Sequence, residues 1–195
     1  KNPLSIFPQA KAMIVIGKKI PRGTIRGVEQ GTELGNSFVH FGFYDLEDQF
    51  LAKATYDLTI WIESNGFESV PMFAYDYNGV TQAIPVAPGK PAPNVYVDAK
   101  TAAQAAGLGE IGLNGLFLSP EFGPRQRLAM LITDMELDEF DEIQKPYLCK
   151  NCRACAEQCP LGAIDASNIS DAGLKEAGCK VAAIEKSKCL RCKNG

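Results

Sequence analysis

The chain has 195 residues, enough for one domain of ordinary size and a small second one. Hydrophobic residues make up 46% and the net charge is −3, which fits a folded protein with a real core and gives no global basic field for nucleic acid. No apolar run is long enough to span a bilayer.

In chain order, Lys11 to Gly17 is a short apolar run closed by glycine and predicts a buried strand. Lys18, Lys19, Arg22 and Arg26 follow and read as a solvated basic loop. His40, the only histidine, lies among Phe38, Phe41 and Phe43 and reads as a packed side chain, with a cobalt ligand as the rival reading. A long helix is expected from Asp45, with Leu46, Phe50, Ala54, Leu58, Trp61 and Ile62 on one apolar stripe and Asn65-Gly66 as its stop. Trp61 is therefore placed in the core. Val70 to Tyr75 predicts a strand, and the four prolines between Ile84 and Asn94 an extended loop.

Asp98 or Thr101 can cap an alanine-rich helix that ends at Gly107. The letters of Gly107-Leu-Gly109-Glu-Ile-Gly112 match G-x-G-x-x-G, but a dinucleotide site needs a strand before the motif and a helix after it. Here the order is reversed. The glycines instead suggest backbone with positive φ, or close approach to a flat ligand. Strands are expected at Leu116 to Leu118 and at Leu128 to Thr133, with a turn at Gly123-Pro124 between them. Arg125 and Arg127 beside this turn could hold a carboxylate or phosphate, or simply be solvated. Acidic residues from Asp134 to Glu142 form a linker into the C-terminal module, where short helices are expected at Arg153 to Gln158 and Asp171 to Ala177.

The cysteines carry the most chemistry. All seven lie after position 148. Cys149, Cys152, Cys155 and Cys159 stand as C-x2-C-x2-C-x3-C with Pro160 next, the ferredoxin spacing for a [4Fe–4S] cluster. Three thiolates at such steps wrap three corners of one cubane, and the fourth serves a second cluster. A zinc site, commonly two separated pairs, accounts for neither the third spacing nor the Cys-Pro. Cys189 and Cys192 repeat the first spacing and join Cys159 on the second cluster. Cys179 is either a further ligand or a buried thiol. Confinement of the cysteines to one segment argues for a metal module in a reducing, cytoplasmic setting rather than a disulfide framework. The chain starts at Lys1 without methionine and stops soon after Cys192, so we read it as a piece of a longer protein, from which a leader could be missing.

Ala106 to Leu137 (AGLGEIGLNGLFLSPEFGPRQRLAMLITDMEL) and Cys149 to Ile164 (CKNCRACAEQCPLGAI) resemble the reductive dehalogenases and epoxyqueuosine reductases, iron–sulfur enzymes that use cobalamin. Ile6 to Gly17, and the helix over 45–64 followed by NGFESVPM, resemble the same families. The resemblance implies an α+β fold: a nitroreductase-like cobalamin-binding core over 1–146, then a ferredoxin-like double-cluster module over 147–195. It implies cobalamin against Gly107, Gly109, Gly112, Asn114, Gly115, Gly123 and Arg125, and Asp98 as a proton donor. Tyr96 and Tyr44 are weaker candidates for a catalytic tyrosine. It also implies an electron donor of ferredoxin or flavodoxin type and a small organic substrate. The acidic balance speaks against nucleic acid, though the resemblance leaves tRNA open. Leu113 departs from the families, where a basic residue often precedes Asn-Gly. The alternative is an iron–sulfur electron-transfer or accessory protein of the same fold without the corrinoid.

Overall fold

The computed structural model describes residues 2–33, 35–73, 87–89 and 96–192. Most of the expected loop from Ile84 to Asn94, and the last two residues of the strand expected to end at Tyr75, lie outside the described residues.

A three-stranded antiparallel sheet forms the frame, in the order β1 (Ala12–Lys19), β5 (Gln126–Thr133), β2 (Ser69–Phe73). The central strand β5 is paired on both edges, and every residue from Leu128 to Thr133 is buried. Side chains alternate faces along a strand. Leu128 and Met130 pack with Ala99, Ala102 and Ala103 of α3 (Ala99–Ala105), while Ala129 and Leu131 point to the other face. That face carries a helix running unbroken through residues 36–64, in which Leu51 and Ile62 are fully buried.

This helix differs from expectation in two ways. It starts some nine residues before Asp45, after the short α1 (Arg26–Gln30), and its first half is π-wound over Phe38–Tyr44 and Leu46–Leu51 before turning into α2 (Ala52–Ser64). Wider winding rotates the buried face, so a stripe drawn at 3.6 residues per turn drifts off it. The buried residues are Gly42, Leu46, Leu51, Thr55, Thr59 and Ile62, so Leu46 and Ile62 of the expected stripe are covered, whereas Phe50 is 52% and Trp61 56% exposed. Trp61 is thus a surface residue, not core. Thr55 and Thr59 satisfy their hydroxyls by donating to the carbonyls four residues back. His40 is not packed either: its ring is half exposed and meets Asp45 at 3.1 Å.

After α3 the chain makes a small hairpin, β3 (Glu110–Ile111) with β4 (Phe117–Leu118), then crosses to β5. The acidic segment follows without regular structure, as expected. The C-terminal module contains α4 (Ala154–Glu157), an antiparallel pair β6 (Ile164–Ala172) and β7 (Cys179–Ile184), and α5 (Lys186–Cys189). The helix expected at Asp171 to Ala177 is only a single 3-10 turn, Lys175–Ala177. Asp171 and Ala172 belong to β6, where they pair with Lys180 and Cys179. Ala177 and Cys179 are buried against the α3 cluster, so one core is shared across the two segments.

Candidate cluster module and adjoining cavity

Glycine and a single carboxylate build the site. Gly107 (φ +66°) lets α3 end and the chain turn, and Gly115 (φ +74°) closes the β3–β4 turn with Asn114. Gly109 is needed for close approach: a Cβ there would lie 2.0 Å from the Leu118 carbonyl oxygen. At Gly112 it would lie 2.8 Å from the Leu118 side chain, and at Gly107 2.8 Å from the Glu142 carbonyl oxygen. These glycines are thus accounted for by packing of the chain on itself.

Between them sits Glu110, 1% exposed. Its Oε2 accepts from the Tyr147 and Leu148 amides at 2.6 and 3.0 Å, and its Oε1 from the Cys149 amide at 2.5 Å. The same hairpin reaches the sulfur of Cys149, to which the Leu113 amide donates at 3.3 Å. Leu113 is 2% exposed, and its carbonyl accepts from Ala182 of β7 at 2.8 Å. Cys149 is thus held at both backbone and sulfur by one hairpin.

Cys152, Cys155 and Cys159 are carried by the start of the module around α4, and Cys189 and Cys192 by α5 and the turn after it. Cys152 is exposed; Cys155, Cys159, Cys189 and Cys192 are half-buried; all are free thiols. The turn before α4 needs Asn151 (φ 52°) and Arg153 (φ 63°) in the left-handed region, the only non-glycine residues there among those described. Hydrogen bonding from the Ala163 amide, with lesser help from Leu161, Ile164 and Gly162, holds the Cys159 thiol below its ordinary pKa of 9.0 and favours the thiolate. Thiolate is the form that binds iron. Among the described residues no three His, Cys, Asp or Glu converge in the geometry of a single-ion site. A cubane presents separate corners instead of one centre, and the donor set, six free thiols with amides bonding two of their sulfurs, suits it. Cys179 stands apart. It is 2% exposed and accepts from Gln104 Nε2 at 2.9 Å, while Gln104 Oε1 accepts from the Leu174 amide.

On the far side of the hairpin lies a cavity of about 1230 Å³, larger than the roughly 300–1,000 Å³ of ordinary ligand sites. Leu116 and Phe117 of the hairpin form one wall, and Tyr96, Asp98, Arg125 and Arg127 reach it. Arg127 is committed within the chain: its Nε donates to the Gly42 carbonyl at 2.9 Å, meets Glu47 at 3.3 Å, and its guanidinium lies 4.6 Å from the Phe43 ring. Burial pushes the Glu47 carboxyl up, with Arg127 opposing, and pushes Arg127 down. Arg125 differs, because its buried Nε has no partner among the described residues. An unsatisfied buried donor is costly unless a ligand supplies an acceptor. Asp98 caps α3, its Oδ1 accepting from the Thr101 amide at 2.8 Å and hydroxyl at 2.6 Å, and its side chain is exposed at the cavity edge. Gly107, Gly109, Gly112, Asn114, Gly115 and Gly123 do not stand in the cavity wall; Tyr44 is 53% exposed. Sequence reasoning missed Glu110, whose only local signal is a lone acid between glycines.

The fold is a mixed helix-and-strand architecture with a cysteine-rich C-terminal module, and comparisons show what it is similar to. No protein-family profile matches the chain. It is 46% identical over 61 residues to a tetrachloroethene reductive dehalogenase of Desulfitobacterium hafniense, a stretch that is 30% of this chain and 11% of that protein. It is 38% identical over 68 residues to an epoxyqueuosine reductase of Lactococcus garvieae, 35% of this chain and 18% of that protein. Among solved structures, a reductive dehalogenase described in terms of B12-dependent dehalogenation covers 92% of this chain and 22% of its own at a TM-score of 0.57 and 17% identity. An epoxyqueuosine reductase bound to a tRNA stem loop covers 83% and 38% at 0.54 and 21%. The chain is similar to reductive dehalogenases and epoxyqueuosine reductases in these stretches and in fold, and it spans well under half the length of these relatives. Among the described residues no helix is long and apolar enough to cross a membrane.

Proposed function

We propose that the chain is the electron-delivering core of a corrinoid-dependent iron–sulfur reductase. The observation that carries this reading is the position of the β3–β4 hairpin. One side of it holds Cys149 through Glu110 and Leu113, and the other lines the large cavity with Leu116 and Phe117. Cys149, Cys152 and Cys155 would hold one [4Fe–4S] cluster, and Cys159, Cys189 and Cys192 a second, in a ferredoxin-like module beginning near residue 147. The preceding nitroreductase-like core would hold cobalamin, which when bound supplies low-valent cobalt for reducing an organic substrate.

In this reading Arg125 Nε, unpartnered among the described residues, would donate to a phosphate or amide oxygen of the cofactor. Leu116 and Phe117 of the hairpin would face the cofactor, while Asn114 in its turn and Gly123 in the next turn shape the chain behind them. Asp98, at the cavity edge, gives a proton to the substrate. Cys152, exposed, marks the side where a donor protein of ferredoxin or flavodoxin type docks. The substrate is a small organic molecule. The structural neighbour with a bound tRNA stem loop keeps tRNA as the macromolecular alternative.

Leu113 supports a second reading, an electron carrier of the same fold without corrinoid. It fills, with a buried aliphatic side chain, the place where the resembling enzymes often have a basic residue. Anaerobic incubation of reduced protein with cobalamin, followed by gel filtration and cobalt analysis, separates the two. The reductase reading expects about one cobalt per chain, reduced in Arg125→Ala; no cobalt in the wild type leaves the electron-carrier reading.

The cap and proton-donor roles of Asp98 can also be separated. Asp98→Ala is expected to cost about 1 kcal/mol of stability through loss of the α3 cap. Asp98→Asn keeps an acceptor oxygen and the stability, yet loses turnover of the reduced, cofactor-loaded protein. Thermal melts and turnover on the two variants check this; full turnover in Asp98→Asn removes the donor role.

A further inference from the structure

We infer that Glu110 is a positioning residue for the first cluster: its buried carboxylate clamps three successive amides and fixes the cysteine loop on the core before any metal arrives. The inference rests on the proposed cluster ligation by Cys149.

Three consecutive backbone N–H groups converge on one side chain: Tyr147 and Leu148 on Oε2, Cys149 on Oε1. The loop they belong to has no regular structure of its own. Its geometry at this point is therefore set by the carboxylate, across 37 to 39 residues of sequence. The third amide is that of a ligand residue, so the clamp sets the direction from which Cys149 presents its sulfur. The Leu113 amide, three residues after Glu110 on the same hairpin, donates to that sulfur. One rigid element thus controls the ligand's position and its hydrogen bonding, the two levers by which the surroundings of a metal ligand tune the centre. A carboxylate is suited to the task because only its two acceptor oxygens can take all three donors. Glutamine in its place must aim its NH2 group at one set of amides, whichever way the side chain is turned.

The test uses the full chain and two independent readouts. Glu110→Gln is purified anaerobically beside wild type, and iron retention against a chelator and the midpoint potential of the clusters are measured. Ligand-supporting residues typically contribute about 10–100-fold to metal affinity. Expected is iron lost at a correspondingly lower chelator concentration, with the midpoint potential shifted positive because a negative charge beside the cluster is gone. Glu110→Asp, which keeps both oxygens on a shorter arm, should recover part of each change. A folded Glu110→Gln protein with wild-type retention and potential overturns the inference.

Should Glu110→Gln fail to fold, hydrogen exchange on metal-free wild type decides. Protected Tyr147, Leu148 and Cys149 amides beside a freely exchanging Lys150 support the clamp, and equal exchange of all four overturns it. Absence of iron from wild type would instead defeat the proposed function, with the exchange pattern still judging the clamp.

Discussion

Gly109→Ala is expected to be among the most destabilising single substitutions in the chain. The new Cβ would lie 2.0 Å from the Leu118 carbonyl oxygen, 2.9 Å from its carbonyl carbon and 3.0 Å from the Ser119 Cα. These are backbone atoms of the partner strand, with no rotamer to relieve the clash, so β3 and β4 must part. Overpacking of a close-packed site costs about 1–3 kcal/mol and more where backbone must move. A loss of about 3 kcal/mol or more would lower Tm by roughly 6–12 °C for a chain of this size. The hairpin also carries Glu110 and Leu113, so the cysteine loop should loosen with it. Gly23→Ala is the control: nothing lies within 4 Å of its Cβ position and its φ is ordinary. There, a neutral or slightly stabilising change is expected. Equal melting temperatures for both variants would contradict the packing account.

The second large effect concerns metal content. In the complete protein Cys155→Ala should remove one cluster and leave the other, about four of eight iron atoms when two four-iron cubanes form. Cys179→Ala should leave iron unchanged. Its sulfur is buried and takes the Gln104 amide at 2.9 Å, so its loss costs about 1–2 kcal/mol through an unsatisfied donor in a closed site. Iron analysis with a thermal melt on each variant reads both numbers. Loss of iron in Cys179→Ala would make it a ligand.

Local signals in the sequence were legible where structure is locally decided. The Asp98 cap, the end of α3 at Gly107, the strands β1 and β5 and the short helix after Arg153 follow from capping chemistry, glycine and apolar runs. The similarity to reductive dehalogenases and epoxyqueuosine reductases was legible from two stretches of sequence. What failed was decided by other forces. The helix through 36–64 departs from 3.6-residue winding, and nothing in Leu46 to Ile62 signals the change. Asp171 and Ala172 join a strand because β7 offers them a partner. Glu110 gains its meaning from amides 37 to 39 residues away, a contact no spacing rule reaches. Of the eight residues assigned to proton donation or cofactor contact, Asp98 and Arg125 line the cavity, while the other six lie in the hairpin and turns outside its wall.

The measurement that tests the central claim most directly is iron, acid-labile sulfide and a visible spectrum on anaerobically purified complete protein. The account predicts iron and sulfide in equal amounts, about eight of each per chain for two cubanes, with the broad visible absorption of such clusters. Zinc in place of iron, with no labile sulfide and no visible absorption, would contradict it.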